Sequence, residues 1–400
     1  MDVIYTDFSK AFDKCETNVL LHSLRDCGVK GKVGLWLAAF LDPGARKQSV
    51  GVEGRISPLA PVLSGVPQGT VLGPVLFLVH IRGISSHLSP GTSASSFADD
   101  TRIVRGIKSG EDCGQLQSDL QTVYSWAEEV NMDFNSDKFE WMRYTANPAP
   151  PSFQYTAPDK TNIEQKDSLR DLGVLLSSDL SFTLQIERVV TTASQMVGWG
   201  LRTFRGRSSF LLLTLFKSLV QPHLDYCSQL WSPTSQVSIN KLEHVQRSLV
   251  SRIYETRLFN LNYWQKLRVL RLYSQERRRE RYMVIFLWKI TQGLVSGYSI
   301  PFTSIDSRTG RKALPAIVPD STPAAVRKVK AGLLAVRGAQ IFNLLPASLR
   351  NSEHGDILMF KNHLDIFLTN IPDEPTVQGL ARGAQSNSLL HQIPHYESSF

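Results

Sequence analysis

The sequence predicts an α+β fold, with a mixed strand-and-helix part over residues 1–180 and a mostly helical remainder. Three observations carry this. Short β-favouring runs alternate with amphipathic stretches as far as about Leu180. From about Ser181 onward the pattern turns to helix. A hydrophobic share of 42% against 20% charged residues is that of a globular chain, and 400 residues suffice for two or three domains.

Each element has its own signal. "MDVIYTDF" opens as a strand, because Val3, Ile4 and Tyr5 favour extended backbone and run straight into Asp7. A domain seldom opens so abruptly, so sequence upstream of Met1 is expected. "NVLLHSLRDCG" reads as a helix with Leu20, Leu21 and Leu24 on one face and Gly28 as its stop. "GKVGLWLAAFLDPG" is a second helix ended by Pro43-Gly44, and "RKQSVGVEGRIS" is a hairpin turning near Glu53-Gly54. "SGVPQGTVLGPVLFLVHI" is a Gly/Pro-punctuated loop feeding an apolar helix, and "SASSFADDTRIVRGI" reads as strand, turn, strand. An amphipathic helix carries Leu116, Leu120, Val123 and Trp126 at spacings of three and four. "DKFEWMRY" is a strand, followed by the Pro-rich loop "TANPAPPSFQYTAPD" and short strands near Ile163 and at "LGVLL". Four long helices occupy "FTLQIERVV…", "SSFLLLTLFKSLVQPHL", "SINKLEHVQRSLVSRIYE" and "SQERRRERYMVIFLWKITQG". Past Ser296 the chain is richer in Pro, Gly and Ser, with a helix at "AAVRKVKAGLLAVRGAQIFNLL" and a disordered last twenty or so residues. The expected division is 1–180, 181–295 and a basic, partly disordered 296–400.

Lys and Arg number 44 against 36 acidic residues, a net charge of +8, which favours an anionic partner, nucleic acid first and an acidic membrane surface next. The four cysteines (Cys15, Cys27, Cys113 and Cys227) form no CxxC pair and lack zinc-ligand spacing, so a disulfide framework and a zinc module are both excluded. The longest apolar stretch, "GPVLFLVHI", is about half of what a membrane span needs, so no membrane partner is expected. With no secretory leader read, the expected location is intracellular, in cytosol or nucleus.

Three features of the first part bear on chemistry. In "YTDFSKAFDK", Asp7 ends a strand and Asp13 comes after a turn into a helix; Asp7 either aims a carboxylate from a rigid strand end or caps that helix. In "FADD", Asp99 and Asp100 sit at a hairpin turn, either as ordinary turn residues or as carboxylates projecting from a sheet edge. Where the two strand ends lie side by side, Asp7 and Asp99 converge, and divalent cations offset their repulsion. In "SGVPQGTVLGP", Gly65, Pro67 and Gly69 make a stiff turn beside the amide of Gln68; it is either a connection or a place where backbone meets substrate closely. In the helical part, "QERRRERY" puts Arg277 and Arg281 on one face with Arg278 near them. That face either grips a duplex or is a solvated face paired with Glu276 and Glu280, and the run also offers a nuclear-import patch. Trp231, Trp264 and Trp288 recur among apolar neighbours and read as core more than as base-stacking platforms.

In series, these segments resemble the reverse transcriptases of non-LTR, LINE-type retrotransposons of the jockey and chicken-repeat groups. "YTDFSKAFDK" resembles their motif A, "SGVPQGTVLGPVLF" motif B, "FADDT" motif C, "NMDFNSDKFEWM" motif D and "LRDLGVLLSSDLSF" motif E. "QPHLDYCSQLWSP" and "INKLEHVQRSLVSRI" are similar to the family's thumb and downstream region, and "IFNLLPASLRN" and "FKNHLDIFL" carry a fainter likeness in the tail. The resemblance implies a right-hand polymerase palm of antiparallel sheet on helices, then a helical thumb, then a helical C-terminal region. It implies RNA-directed DNA polymerase activity on an RNA template and DNA primer with dNTPs, and two Mg²⁺ ions, or Mn²⁺ in their place. Asp7 and Asp99 are then metal ligands with Asp100 the supporting carboxylate. Phe12 is a gate against the ribose 2′-hydroxyl, Gln68 and Gly69 border the incoming nucleotide, and Lys138 is a general acid for the leaving pyrophosphate. No stable protein partner is implied.

The sequence departs from this family in one respect. The family places fingers ahead of motif A, whereas Asp7 stands almost at Met1. A chain without fingers loses cationic contacts to the triphosphate worth roughly 1.5–3 kcal/mol each, and two such losses lower nucleotide affinity on the order of 10²-fold or more. It also leaves an apolar face open. Weak or absent activity of this chain on its own is therefore expected. The alternative reading is a non-catalytic nucleic-acid-binding remnant of a retroelement; an intron maturase or an unrelated metal hydrolase would share only the carboxylates or the palm.

Overall fold

The structure is a computed structural model that describes residues 1–145, 147, 149–297, 300–301, 312–314, 324–351, 356–375 and 387–397. It separates into two compact units, Met1–Leu169 and Arg170–Phe400.

The first unit is built on a five-stranded sheet in the order β6-β7-β1-β8-β9. β1 (Asp2–Thr6) lies at its centre and is fully paired. Two helices come after it, α1 (Ala11–Lys14) and α2 (Thr17–Asp26), and Leu20 and Leu24 of α2 are buried as their spacing implies. Gly28 ends the helical run at a φ of +85°, a conformation that glycine adopts without strain. After α3 (Gly31–Leu41) the expected hairpin is longer than its turn suggests. β2 (Lys47–Gln48) and β5 (Ala60–Pro61) pair outside β3 (Gly51–Val52) and β4 (Arg55–Ile56), with Glu53 and Gly54 both at positive φ in the turn. α4 (Leu72–Ile81) is apolar on all sides and buries only part of itself. Leu76, Phe77 and Ile81 face the core, while Val75 and Leu78 lie open, as do Trp36 on α3 and Ile56 on the hairpin.

β6 (Thr92–Phe97) and β7 (Asp100–Arg105) form the second hairpin, and β7 pairs antiparallel with β1 in the register Ile4↔Ile103 and Thr6↔Thr101. α5 (Gly110–Glu129) starts at a Ser109–Asp112 capping box and buries Leu116, Leu120, Val123 and Trp126 against the sheet. β8 (Glu140–Arg143) closes the other side of β1, and β9 (Glu164–Gln165) joins it in parallel. Asp2, fully buried on β1, is held by Arg143 at 2.7 and 2.5 Å and by the Tyr155 hydroxyl at 2.7 Å. That ion pair fastens the central strand to β8. A hairpin of β10 (Ser168–Asp171) and β11 (Val174–Ser177) leads into the second unit.

The second unit is helical, as the sequence implies. α6 (Thr183–Thr203), α7 (Ser209–Leu215), α8 (Gln221–Asp225), α9 (Ser228–Trp231), α10 (Gln236–Val250) and α11 (Tyr263–Leu270) share one core around Phe216, Trp231 and Leu242. α12 (Gln275–Thr291), which α13 (Ala324–Gly332) follows in the chain, anchors the other core with α14 (Ala339–Asn343), α15 (Ala347–Arg350), α16 (Ile357–Asn370) and α17 (Leu389–Glu397) around it. Within that core the Trp288 ring stacks on Phe360 at 4.5 Å.

Three expectations are corrected here. The basic run of α12 is neither a duplex-binding face, nor a solvated one, nor an exposed import patch. Arg277, Arg279, Glu276 and Glu280 are buried. Arg277 donates to the Pro372 carbonyl at 2.7 Å, Arg278 pairs with Asp225 at 2.8 Å, and Arg281 grips Asp365 at 2.5 and 2.6 Å. α12 is packed on several sides, so its charges turn inward and meet partners from far along the chain. The helix expected over 324–345 breaks at Leu333, whose backbone is extended. The break lets Arg337 reach Glu276 and Glu280 at 3.3 and 2.7 Å. The end of the chain is not wholly irregular. α17 buries Leu389 and Ile393, and Glu280 accepts the Leu389 amide at 2.7 Å; the rest of that stretch lies outside the described residues.

Candidate active site

The site grows from the two outer ends of the β1–β7 pairing. Thr6↔Thr101 is the last registered pair. One residue further along each strand stand Asp7 and Asp100, and antiparallel sense sets them beside each other. Asp99 is in the β6–β7 turn, where Ala98 takes a left-handed φ of 53° and closes the hairpin tightly. A third segment, 132–139, runs along residues 7–9. The Asn135 amide donates to the Asp7 carbonyl at 2.9 Å, and the Ser9 amide to the Asp133 carbonyl at 2.8 Å. That pairing brings Lys138 over the strand tips, with Nζ 2.5 Å from Asp7 Oδ2.

The electrostatics agree with this convergence. Partial burial, then the charges of Asp99 and Asp7, lift the Asp100 carboxyl above the usual carboxylate range, while Arg102 and Lys138 oppose the rise. The hydrogen bond and charge of Asp7, then Asp99 and Asp100, hold the Lys138 ammonium above its ordinary value. Four of the sequence-predicted residues (Asp7, Asp99, Asp100 and Lys138) are thus within mutual electrostatic reach.

The other three stand on the neighbouring loop and helix. Phe12, half-buried, stacks on Phe77 with ring centroids 4.5 Å apart. Gln68 is hydrogen-bonded to Asp13 rather than to the strand-tip carboxylates, Nε2 to Oδ1 at 2.7 Å. Gly69 has a φ of +75° with open space where a side chain would go. Gly65 is the tight point of this loop. A Cβ there would stand 2.8 Å from both Asp13 Cα and the Phe12 carbonyl oxygen. Arg46, which sequence reasoning missed, donates from Nη1 to the Gly65 carbonyl at 2.7 Å. No local pattern marks Arg46; its partner lies across a hairpin.

Carboxylate oxygens gathered at one edge are the donor set of a hard divalent cation. Among the described residues, no three His, Cys, Asp or Glu side chains form a ready-made metal group. Lys138 supplies the positive charge that faces Asp7. The oxygen donors are of the type a hard divalent cation takes, and a cation taking Asp7 Oδ2 competes with Lys138.

Residues 3–176 match the sequence model of the reverse transcriptase (RNA-dependent DNA polymerase) family, whose members use divalent metals. The relatives that the chain resembles come from non-LTR retrotransposons. The chain is 26% identical over 261 residues to the RNA-directed DNA polymerase from mobile element jockey of Drosophila melanogaster, covering 62% of this chain and 28% of that protein. It is 26% identical over 257 residues to the probable RNA-directed DNA polymerase from transposon X-element of the same organism, with the same coverage. A putative 115 kDa protein in the type-1 retrotransposable element R1DM is 27% identical over 240 residues, covering 58% of this chain and 22% of that one. The chain thus spans 22–28% of the length of these relatives. Among solved structures, telomerase from Candida albicans, in complex with a fragment of telomeric RNA, aligns over 71% of this chain and 43% of its own at 12% identity and a TM-score of 0.36, too slight a likeness to bear on the fold.

Proposed function

We propose that this chain carries the catalytic part of an RNA-directed DNA polymerase of a LINE-type retroelement, joining a dNTP to a primer 3′-hydroxyl on an RNA template. The observation that carries the reading is the β1–β7 register, which sets Asp7 beside the Asp99-Asp100 turn with Lys138 across them. In this reading residues 1–180 are the palm, 181–295 the thumb and 296–400 an accessory helical region, with no stable protein partner. Asp7 and Asp99 hold two Mg²⁺ ions, or Mn²⁺ in their place, and Asp100 supports them. When bound, such ions lower the cost of ionising the 3′-hydroxyl and offset the charge of the leaving pyrophosphate.

The remaining work falls to the chain's own groups. Lys138, an ammonium that Asp7 holds over the strand tips, is the proton donor to the pyrophosphate. Phe12 stays where the Phe77 ring holds it and presents a flat apolar edge to the sugar, which disfavours a 2′-hydroxyl. Gln68 and Gly69 border the nucleotide, and the lack of a side chain at Gly69 leaves the backbone open to it.

Primer extension by the purified chain tests the reading. Extension on an RNA template that needs Mg²⁺ and dNTPs, however slow, and that stops in Asp99→Asn supports it. Tight primer–template binding without any extension favours the second reading, a non-catalytic nucleic-acid-binding remnant. The Lys138–Asp7 ion pair lends that reading some weight, because it neutralises Asp7 without a metal.

A further inference from the structure

We propose that Asp13 and Arg46 are positioning residues for Gln68, latching the 64–69 loop onto α1 and fixing which end of the Gln68 amide faces outward. The inference rests on the polymerase reading only for what Gln68 then touches.

The loop is fastened at successive points. The Gly65 amide donates to the Cys15 carbonyl and the Val66 amide to the Phe12 carbonyl, both at 2.8 Å. The Ser64 hydroxyl donates to the Asp13 carbonyl at 2.8 Å. Asp13 therefore meets the loop twice, through its backbone and through its carboxylate. An ionised carboxylate only accepts, so the Gln68 amide must turn Nε2 toward it. That leaves Oε1 and one N–H free, and the outward acceptor suits a hydroxyl or amino donor of a nucleotide.

Arg46 holds the loop from the other side. Nη1 is bonded to the Gly65 carbonyl, while Nε and Nη2 are enclosed without a hydrogen-bond partner. The loss of water around the guanidinium pulls it below its ordinary range, with Asp42 opposing. An enclosed cation with one firm partner resists losing it, so lifting the loop is costly. Asp13 thus orients the amide while Arg46 keeps the loop seated.

The test uses the full chain, ¹⁵N-labelled at glutamine, with the Gln68 side-chain amide assigned by its disappearance in Gln68→Ala. In the wild type this amide exchanges slowly with water; in Asp13→Ala it exchanges like a free glutamine, and in Arg46→Ala the Val66 amide loses protection that Arg46→Lys restores. In primer extension, Asp13→Ala raises KM for dNTP about tenfold with kcat within about twofold, and adds nothing on a Gln68→Ala background. A Gln68 amide that exchanges freely in the wild type, or Asp13→Ala and Gln68→Ala effects that simply add, overturns the proposal. A protected amide that Asp13→Ala frees, in a chain that never extends a primer, upholds the latch and favours the non-catalytic reading instead.

Discussion

Replacing Gly65 and Gly69 separately by alanine isolates the close approach on which the loop depends. Both glycines take left-handed backbone, at φ of +85° and +75°, so either substitution carries a strain of about 1–2 kcal/mol. The surroundings differ. At Gly69 a Cβ meets nothing within 4 Å. At Gly65 it meets the Asp13 Cα and the Phe12 oxygen at 2.8 Å and the Asp13 oxygen at 2.9 Å, all backbone atoms that cannot swing aside. The loop must lift, and the Gly65–Cys15 and Val66–Phe12 hydrogen bonds go with it, at roughly 0.5–1.5 kcal/mol each. Gly65→Ala is therefore expected to cost about 2–5 kcal/mol and Gly69→Ala about 1–2 kcal/mol. Urea unfolding measures the totals, and hydrogen exchange at the Val66 amide shows whether the loop has lifted. Equal costs for the two variants, or an unchanged Val66 amide in Gly65→Ala, refute the reasoning.

Other expected outcomes arise from buried charge. Arg143→Met leaves the fully buried Asp2 carboxylate without its cation and is expected to destabilise the chain by about 3–5 kcal/mol, read by urea unfolding; adding Asp2→Asn recovers part of the loss. Glu243 is raised to about 7, by burial first. A raised carboxyl contributes stability that is complete below its unfolded value near 4.5 and is lost as pH rises through about 7. Thermal unfolding is thus expected to show stability falling between about pH 4.5 and pH 7, by roughly 3 kcal/mol from this group, with no further loss above, and to fall less in Glu243→Gln. Asp100 is raised by the same logic, so its ionisation strains the strand tips above the ordinary carboxylate range. Asp100→Asn is expected to raise Tm of the metal-free chain at pH 7 and to lose that advantage in acid.

The central sheet was legible because its signals are local. Val3, Ile4 and Tyr5 announce a strand, "FADD" announces a turn, and the Leu116–Leu120–Val123 spacing announces the helix that covers them. The approach of Asp7 to the Asp99-Asp100 turn was legible with it, since both stand at adjacent strand tips. The position of Lys138 was readable only by likeness to a family, because the bond that places it runs from Asn135 back to Asp7. The α12 charges misled for a related reason. Arg277 and Arg281 look like surface residues in their own stretch, and their partners Pro372 and Asp365 are more than eighty positions away. Burial of a charge is decided by what packs on it, which no local spacing reveals. Arg46 is the same case at shorter range.

Calorimetric titration of Mg²⁺ into the full chain tests the convergence of the strand-tip carboxylates most directly. Saturable binding is expected in the wild type, lost in Asp7→Asn and in Asp99→Asn alike, and retained in Glu53→Gln in the β3–β4 turn. Binding that survives Asp7→Asn unchanged would contradict the account.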